Sequence, residues 1–363
     1  MEHGCFLVEL ARRFRQRLTQ SPKIKMRPPR RALEAVLPSR AYFFIRTLWR
    51  HSIRIKKEGL RNVYLRRRLW PKILQTPPVR TEPLTDGCEL SVHLMCYQAD
   101  HLSALWALKS FYHQTKSAFP LMIRIQGSSS PVVEKRLRAH FPNARIVLQQ
   151  EADRVVEQYL RDHHCPRLLN FRTALPTVQK LTDVLVLSTS RHVLMFDADV
   201  LFFQYPEELV EADAGSGGRI LFQRDFMEAY SISPARAKAD LDIDLQSHVN
   251  SGIVRLPMGS VDLIKCEEYL SHPDFRDLEG HTEQTLFALE ASRNAGVAFL
   301  PSTYLVSLEE DADCAALKAR HYAGPSRSLL TRQGIPYLIR SGFLRSLEND
   351  CLRPSADAVE DRL

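Results

Sequence analysis

The sequence predicts an α/β fold in which helices flank a mostly parallel sheet, preceded by a basic helical extension. Three observations lead to this prediction: strand and helix patterns alternate after residue 86, positive charge is concentrated before it, and the composition is that of a folded protein. The 363 residues are 44% hydrophobic and 25% charged, which excludes collagen-like, disordered and disulfide-stapled chains. The length suits one large domain or two ordinary ones.

The extension is predicted over residues 1–86, which carry 21 Lys and Arg against 6 Asp and Glu, whereas the remainder has a net charge of −7. Basic side chains alternate there with aromatic ones, as in Tyr64 followed by Arg66-Arg67-Arg68. This pattern is typical of an amphipathic helix on an anionic membrane surface. A solvated extension and a nucleic-acid contact stay open as alternatives, although no nucleic-acid-binding motif is present.

Targeting and redox features predict a cytoplasmic protein. Charged residues interrupt the short apolar stretch at the start, and no apolar run reaches the ~18–20 residues that span a bilayer. The seven cysteines never form a C-x-x-C pair, which disfavours a disulfide framework and a zinc knuckle. Peripheral attachment to the cytoplasmic membrane face through residues 1–86 is the alternative to a free protein.

A domain is predicted over residues 87–345, with a tail over 346–363. Short apolar runs predict strands at 91–96, 121–125, 146–148 and 193–196. Helical spacing and capping residues predict helices after Asp100 and over 132–140, 151–162 and 176–188. Because strands and helices alternate, we expect a mostly parallel sheet with helices on both faces.

Two aspartates follow the strand predicted at 193–196. Asp197 and Asp199 stand at i and i+2, so their carboxylates can converge on one hard cation. Mg²⁺ or Mn²⁺ held by one or two carboxylates and by substrate phosphates suits such a pair. Ligands of this class of sheet gather beyond the carboxyl ends of the strands. Two solvated aspartates at a strand end are the plainer interpretation.

Two enzyme classes place D-x-D directly after a strand. Phosphatases of the haloacid-dehalogenase type use the first aspartate, here Asp197, as a nucleophile. Metal-dependent glycosyltransferases use the pair to hold a metal and a nucleotide sugar. Three predicted strands precede the one that carries the motif, which counts against the phosphatase, whose motif stands early in its domain. A non-catalytic lipid- or nucleic-acid-binding protein on a decayed enzyme fold is the third alternative.

The order of polar motifs in the chain resembles that of GT-A glycosyltransferases, and most closely that of glycosyltransferase family 8. The motifs are Lys180, Asp197-x-Asp199, Asp225, Asn250-Ser251-Gly252, Glu283-Gln284 and His321-x-x-Gly324-x-x-Arg327. The resemblance runs from residue 91 to residue 330 and leaves the extension out. It implies a GT-A (Rossmann-like) fold and transfer of a sugar from a nucleoside diphosphate, with a UDP-sugar expected, to an acceptor hydroxyl with retained configuration.

The resemblance also implies a role for each motif residue. Asp197, Asp199 and His321 would hold Mn²⁺ or Mg²⁺, with the histidine as a neutral imidazole ligand. Gln284 and Asp225 would stabilise the reacting sugar as catalytic residues. The residues expected to bind substrate are Lys180, Asn250, Gly252, Glu283, Gly324, Arg327, Tyr97 and Asp100.

Several of these residues have an ordinary structural interpretation as well. Lys180 could be an exposed helix lysine, and Tyr97 could cap the core. Asp225 could pair with its arginine neighbour, and Asn250-Ser251-Gly252 could form a turn before a strand. An acid such as Glu283 in a first helical turn complements the helix dipole. The family usually has lysine where this chain has an arginine in the last motif, so that contact is altered.

The implied partners are a nucleotide-sugar donor and a carbohydrate or lipid-linked acceptor. If residues 1–86 dock on an anionic membrane, the acceptor is expected to be assembled there, as in polysaccharide or glycoconjugate synthesis.

Overall fold

The structure, a computed structural model, describes residues 59–211, 218–275 and 281–352. The basic helical extension predicted from the sequence therefore falls mostly outside the described residues, as does the end of the predicted tail. Among the described residues, every helix is too short or too polar to cross a membrane.

Ten strands form two sheets. The strands are β1 (Leu90–Tyr97), β2 (Leu121–Gln126), β3 (Arg145–Leu148), β4 (His192–Asp197), β5 (Val200–Phe202), β6 (Ile220–Arg224), β7 (Val249–Pro257), β8 (Val297–Phe299), β9 (Tyr304–Val306) and β10 (Ala319–His321). The main sheet has the order β3-β2-β1-β4-β7-β6-β8, and the small sheet has the order β5-β10-β9. Only β7 runs against its neighbours in the described main sheet. The prediction of a mostly parallel sheet is therefore confirmed.

Helices cover both faces of the main sheet. They are α1 (Leu60–Leu69), α2 (His101–Thr115), α3 (Pro131–His140), α4 (Gln149–Asp162), α5 (Pro166–Ala174), α6 (Val178–Leu187), α7 (Glu207–Val210), α8 (Pro234–Leu241), α9 (Leu263–Tyr269), α10 (Thr282–Glu290), α11 (Arg327–Leu329), α12 (Ile335–Arg340) and α13 (Phe343–Leu352). One apolar core includes side chains of α2, and the other includes side chains of α6 and α10.

The strand β4 shows why its sequence is continuously apolar. Leu194 and Phe196 pack into the core beside α2, whereas Val193 and Met195 pack into the core beside α6. Successive side chains of a strand point to opposite faces, so a strand covered on both sides needs apolar residues at every position. Burying each of these side chains contributes about 1.5–3 kcal/mol. The strand thus carries Asp197 to the carboxyl edge of the sheet.

Most predicted elements are confirmed, with three differences. Helix α6 begins at Val178, because the carbonyl of Pro176 accepts a hydrogen bond from the side chain of Gln126 instead of starting the helix. Several elements lie outside the predictions, among them helix α5 and the strands β5, β6, β8, β9 and β10. Asn250-Ser251-Gly252 lies inside β7, so its interpretation as a turn before a strand is wrong.

The last part of the predicted extension packs against the domain core. Trp70 and Ile73 are buried there. The indole of Trp70 donates to Thr331 Oγ1 at 3.1 Å, and the indole of Trp106 donates to the carbonyl of Trp70 at 3.0 Å. Residues 70–75 therefore belong structurally with the domain core, while the boundary at residue 86 stays a prediction.

Candidate metal and substrate site

The two sheets bring three residues together that lie far apart in the sequence. Asp197 ends β4, and Asp199 stands in the short link to β5. Strand β10 pairs with β5 in an antiparallel register that sets His321 opposite Val200. The amide of Tyr322 also donates to the carbonyl of Asp199 at 3.0 Å. The small sheet therefore places His321 beside the aspartates.

The three predicted metal ligands form one cluster. Nε2 of His321 lies 3.5 Å from Oδ2 of Asp197 and 3.4 Å from Oδ1 of Asp199. One ligand atom from each residue lies within 4.8 Å of the others. Carboxylate oxygens with an imidazole nitrogen form a donor set that suits Mn²⁺ and other divalent ions.

Each carboxylate also contacts a basic side chain through its other oxygen. Nζ of Lys180 lies 2.8 Å from Oδ1 of Asp197, and Nε of Arg327 lies 3.5 Å from Oδ2 of Asp199. The Lys180 side chain is only 8% exposed, so its interpretation as an exposed helix lysine is wrong. One oxygen of each aspartate is thereby left facing His321.

The charged groups of the cluster stabilise the charged forms of their neighbours. Burial acts to raise the pKa of Asp199, but His321 and Arg327 outweigh it and lower that pKa. Burial acts to lower the pKa of His321, but Asp199 and Asp197 outweigh it and raise that pKa. The pKa of Lys180 is likewise raised, because Asp197 and Glu283 outweigh burial. The site therefore holds charged groups despite its burial.

Glu283, in the first turn of α10, differs from the other acids. Its Oε2 accepts a hydrogen bond from Ser251 Oγ at 3.0 Å, and its Oε1 lies 3.9 Å from Lys180 Nζ. Within the described structure, that Oε1 is buried without a hydrogen-bond partner. Burial raises the pKa of Glu283 to about 7, against the opposing effect of Lys180. Such a group at a polar site is a candidate for substrate binding.

Strand β7 supplies the residues that contact the His321 ring. Oδ1 of Asn250 lies 2.9 Å from Nδ1 of His321 and accepts from the amide of Gly252 at 2.9 Å. Nδ2 of Asn250 donates to Oδ2 of Asp225 at 2.7 Å. A Cβ atom at Gly252 would lie 2.0 Å from Nδ1 of His321, so only glycine fits against the ring. The imidazole therefore occupies the position that a side chain at residue 252 would take.

Both predicted catalytic residues form hydrogen bonds with other groups of the protein. Oε1 of Gln284 accepts from the amide of Ser251 at 3.1 Å, and its Nε2 donates to the carbonyl of Ala229 at 3.0 Å. Asp225 accepts from Asn250, whereas its neighbour Arg224 stacks on an aromatic ring, so the plain salt bridge is not formed. Asp225 is linked to the cluster through Asn250, and Gln284 contacts the backbone of Ser251 next to it. Their catalytic roles stay predictions.

The remaining predicted substrate-binding residues are exposed to solvent, apart from Asp100, which is partly buried. Nη2 of Arg327 lies 3.2 Å from Oδ1 of Asp100. The backbone of Gly324 has a φ of +50°, in the left-handed region that favours glycine. Tyr97 is 43% exposed, so it does not cap the core.

Sequence reasoning missed the residues that hold α6 in place. Asp183 is buried and accepts from Nε of Arg124 at 2.8 Å and from Nε of Arg172 at 2.8 Å. It also lies one turn after Lys180 on α6, so this network fixes the helix that presents the lysine. The carbonyl of Ser251 accepts from that same lysine. The arginines lie on other elements, so no local sequence signal could have found these contacts.

No protein-family model and no curated protein matches this sequence. Several solved structures are similar to it. The bifunctional glycosyltransferase WbbM is 13% identical, with a TM-score of 0.46 over 72% of this chain and 52% of that chain. The present chain thus spans about half the length of WbbM. The galactosyltransferase LgtC, solved with donor and acceptor sugar analogues, is 15% identical, with a TM-score of 0.45 over 74% of this chain and 98% of that chain. Mouse xyloside xylosyltransferase 1 is 14% identical, with a TM-score of 0.38 over 64% of this chain and 97% of that chain.

Proposed function

We propose that this protein is a metal-dependent GT-A glycosyltransferase related to family 8. It moves a sugar from a nucleoside diphosphate, most simply UDP, to an acceptor hydroxyl. The observation that carries this proposal is the cluster of Asp197, Asp199 and His321, whose ligand atoms lie within 4.8 Å of one another. Its position at the carboxyl edge of a mostly parallel sheet is where such folds bind nucleotides.

The cluster suits a diphosphate leaving group. A divalent ion, Mn²⁺ or Mg²⁺, would neutralise the negative charge that develops on the departing nucleoside diphosphate. Arg327 contributes donors at the same edge, and its side chain is 47% exposed, so it is accessible to a phosphate. Asp100 and Asp199 orient its guanidinium from two sides. The lysine-to-arginine change relative to the family keeps the positive charge and adds a second donor direction.

The sugar is proposed to lie over Glu283, Gln284 and Asp225. The unpaired Oε1 of Glu283 offers an acceptor for a sugar hydroxyl. Gln284 and Asp225 are proposed to stabilise the positive charge at the anomeric carbon, with retained configuration. Asn250, Gly252, Gly324 and Tyr97 are proposed to line the rest of the donor site. Proton NMR of the first product distinguishes retention from inversion.

Transfer is tested with a panel of nucleotide sugars, Mn²⁺ and the full chain. We expect Mn²⁺-dependent release of a nucleoside diphosphate from one donor, and a loss of at least about 100-fold in the Asp197→Asn variant, because a leaving-group contact of this kind contributes about 2.7–4 kcal/mol. The control is Asp240→Asn, an exposed aspartate on α8. Hydrolysis of phosphate esters without any need for a nucleotide sugar would indicate the phosphatase instead. Absence of Mn²⁺-dependent stabilisation by UDP and GDP would indicate the non-catalytic alternative.

Membrane attachment is a separate part of the proposal. The exposed face of α1 carries Arg61, Tyr64, Arg67 and Arg68, at positions that share one side of a helix. Together with the charge of residues 1–86, this face suits the anionic cytoplasmic side of a membrane, where a carbohydrate or lipid-linked acceptor of polysaccharide synthesis would be found. The test is flotation with anionic liposomes, in which a double Arg61→Glu and Arg67→Glu variant is expected to bind less than wild type. Equal binding of both proteins rejects this part.

A further inference from the structure

The two ring nitrogens of His321 have different surroundings. Nε2 faces the carboxylates of Asp197 and Asp199, at 3.5 and 3.4 Å. Nδ1 faces the side-chain oxygen of Asn250, at 2.9 Å. Only 6% of the histidine side chain is exposed. The hydrogen bonds of the ring are therefore made with these neighbours rather than with water.

The contacts of Asn250 decide which ring nitrogen carries the hydrogen. The amide of Gly252 donates to Oδ1 of Asn250, and Nδ2 of Asn250 donates to a carboxylate oxygen of Asp225. If the amide oxygen and nitrogen were exchanged, the NH₂ group would face the N–H of Gly252, and the oxygen would face the carboxylate of Asp225. Neither pair can form a hydrogen bond, so the orientation of the amide is fixed. Because Oδ1 can only accept, Nδ1 of His321 donates to it. The neutral ring then has its lone pair on Nε2, toward the carboxylates.

Gly252 fixes the position of the same ring. A Cβ atom at this residue would lie 2.0 Å from Nδ1 and 2.2 Å from Cε1 of His321. Real contacts are never this short, so any side chain here would move the ring away from Asn250. The ring therefore packs directly on the backbone of β7.

We infer that Asn250 and Gly252 are positioning residues that orient His321 as the nitrogen ligand of the cation. Asn250 selects the tautomer, and Gly252 provides the space. Residues that hydrogen-bond the second nitrogen of a ligating histidine fix its tautomer and its direction, and removing such a partner commonly lowers metal affinity by about 10–100-fold. This inference rests on the proposed function in one respect: the cation is the divalent ion that is proposed to bind Asp197, Asp199 and His321. It gives both residues a role that needs no contact with the donor sugar.

Metal binding alone provides the first test. Mn²⁺ is titrated into the metal-free full-length protein without nucleotide, and free Mn²⁺ is measured by electron paramagnetic resonance. We expect Asn250→Leu, which removes the acceptor, to weaken binding by about 10–100-fold relative to wild type. Asn143→Leu is the matched control, because it makes the same substitution at an asparagine whose Nδ2 donates to the carbonyl of Thr81 rather than contacting His321, and its Mn²⁺ affinity is expected to equal that of wild type. Equal affinities of Asn250→Leu and wild type overturn the inference.

The tautomer provides a second test, which is measured on the wild-type protein and uses a variant only to assign the signals. The protein contains 13 histidines, so the His321 signals in a ¹⁵N-histidine spectrum are assigned by their loss in His321→Gln. In wild type saturated with diamagnetic Mg²⁺, we expect a protonated Nδ1 and an unprotonated Nε2. A protonated Nε2 overturns the inference. If the wild-type protein transfers no sugar but still shows the expected tautomer, with weaker Mn²⁺ binding in Asn250→Leu, that result supports this inference and rejects the proposed function.

Discussion

The ammonium of Lys180 lies 2.8 Å from Oδ1 of Asp197, and the other oxygen of that carboxylate lies 3.5 Å from Nε2 of His321. Lys180 also donates to the carbonyl of Ser251 and so links α6 to β7 as well as to β4. A buried lysine thus fixes the rotation of the carboxylate, so that one oxygen is directed toward the histidine. The orientation of Asp197 as a ligand depends on this contact.

Replacing Lys180 by methionine is expected to lower the free energy of unfolding by about 2–4 kcal/mol, because the buried Glu283 and the 35%-exposed Asp197 lose their cation. This is less than the ~3–5 kcal/mol of a fully buried pair, since solvent screens Asp197 in part. The measurement is urea unfolding of the metal-free protein. The matched control is Lys265→Met, which removes an exposed ion pair with Glu268 and is expected to change stability by less than about 1 kcal/mol. Equal effects of the two substitutions would contradict the role assigned to Lys180.

Glu283 is expected to make stability depend on pH. Its pKa is raised from 4.5 to about 7, so between these values the folded protein binds the proton that the unfolded chain has released. Its contribution is therefore complete at low pH and is lost as pH rises toward 7, with a slope of at most about 1.4 kcal/mol per pH unit.

The measurement compares unfolding of wild type and Glu283→Gln from pH 4.5 to 8. The stability of the variant relative to wild type is expected to rise with pH up to about 7 and then to level off, because glutamine carries no titrating proton. Exposed Glu268→Gln serves as the control and should show no such rise. A pH-independent difference for Glu283→Gln would contradict the raised pKa.

Gly252→Ala is expected to destabilise the protein by about 1–3 kcal/mol, because the added methyl group overlaps the His321 ring. The same substitution is expected to cost much less in a His321→Ala background, where the ring is absent. A double-mutant cycle of unfolding free energies measures this coupling. Additive effects of the two substitutions would show that the ring and the glycine do not meet.

Trp70→Ala is expected to cost about 3–5 kcal/mol, because the indole is buried and donates to Thr331 Oγ1. Tyr64→Ala, at an aromatic residue of α1 that is 58% exposed, is expected to change stability by about 0.5 kcal/mol or less. Chemical unfolding of both variants shows whether the segment after α1 is part of the cooperative unit. A small effect of Trp70→Ala would place it outside that unit.

The sequence predicts the elements whose burial is uniform along their length. Strand β4 is the clearest example, because both of its faces are covered and its apolar run ends where Asp197 begins. Helix α5 has a weaker pattern: its sequence, PRLLNFRTA, buries Leu168, Phe171 and Arg172. A buried arginine interrupts the apolar periodicity from which a helix is predicted.

The site could be predicted only in part. The order of the motifs indicates that Asp197, Asp199 and His321 belong together, through a resemblance rather than through local chemistry. The contacts of Asn250 with Asp225 and His321 join residues that lie 25 and 71 positions away. Such pairings follow from the register of β6, β7 and the small sheet, which no local pattern specifies.

The most direct measurement of the central claim is anomalous X-ray diffraction at the manganese absorption edge from crystals grown with Mn²⁺ and UDP. The account predicts one strong peak bordered by Asp197, Asp199 and Nε2 of His321, with the diphosphate on its open side near Arg327. A peak at another place, or aspartates that stay bound to Lys180 and Arg327 with no manganese between them and His321, would contradict it.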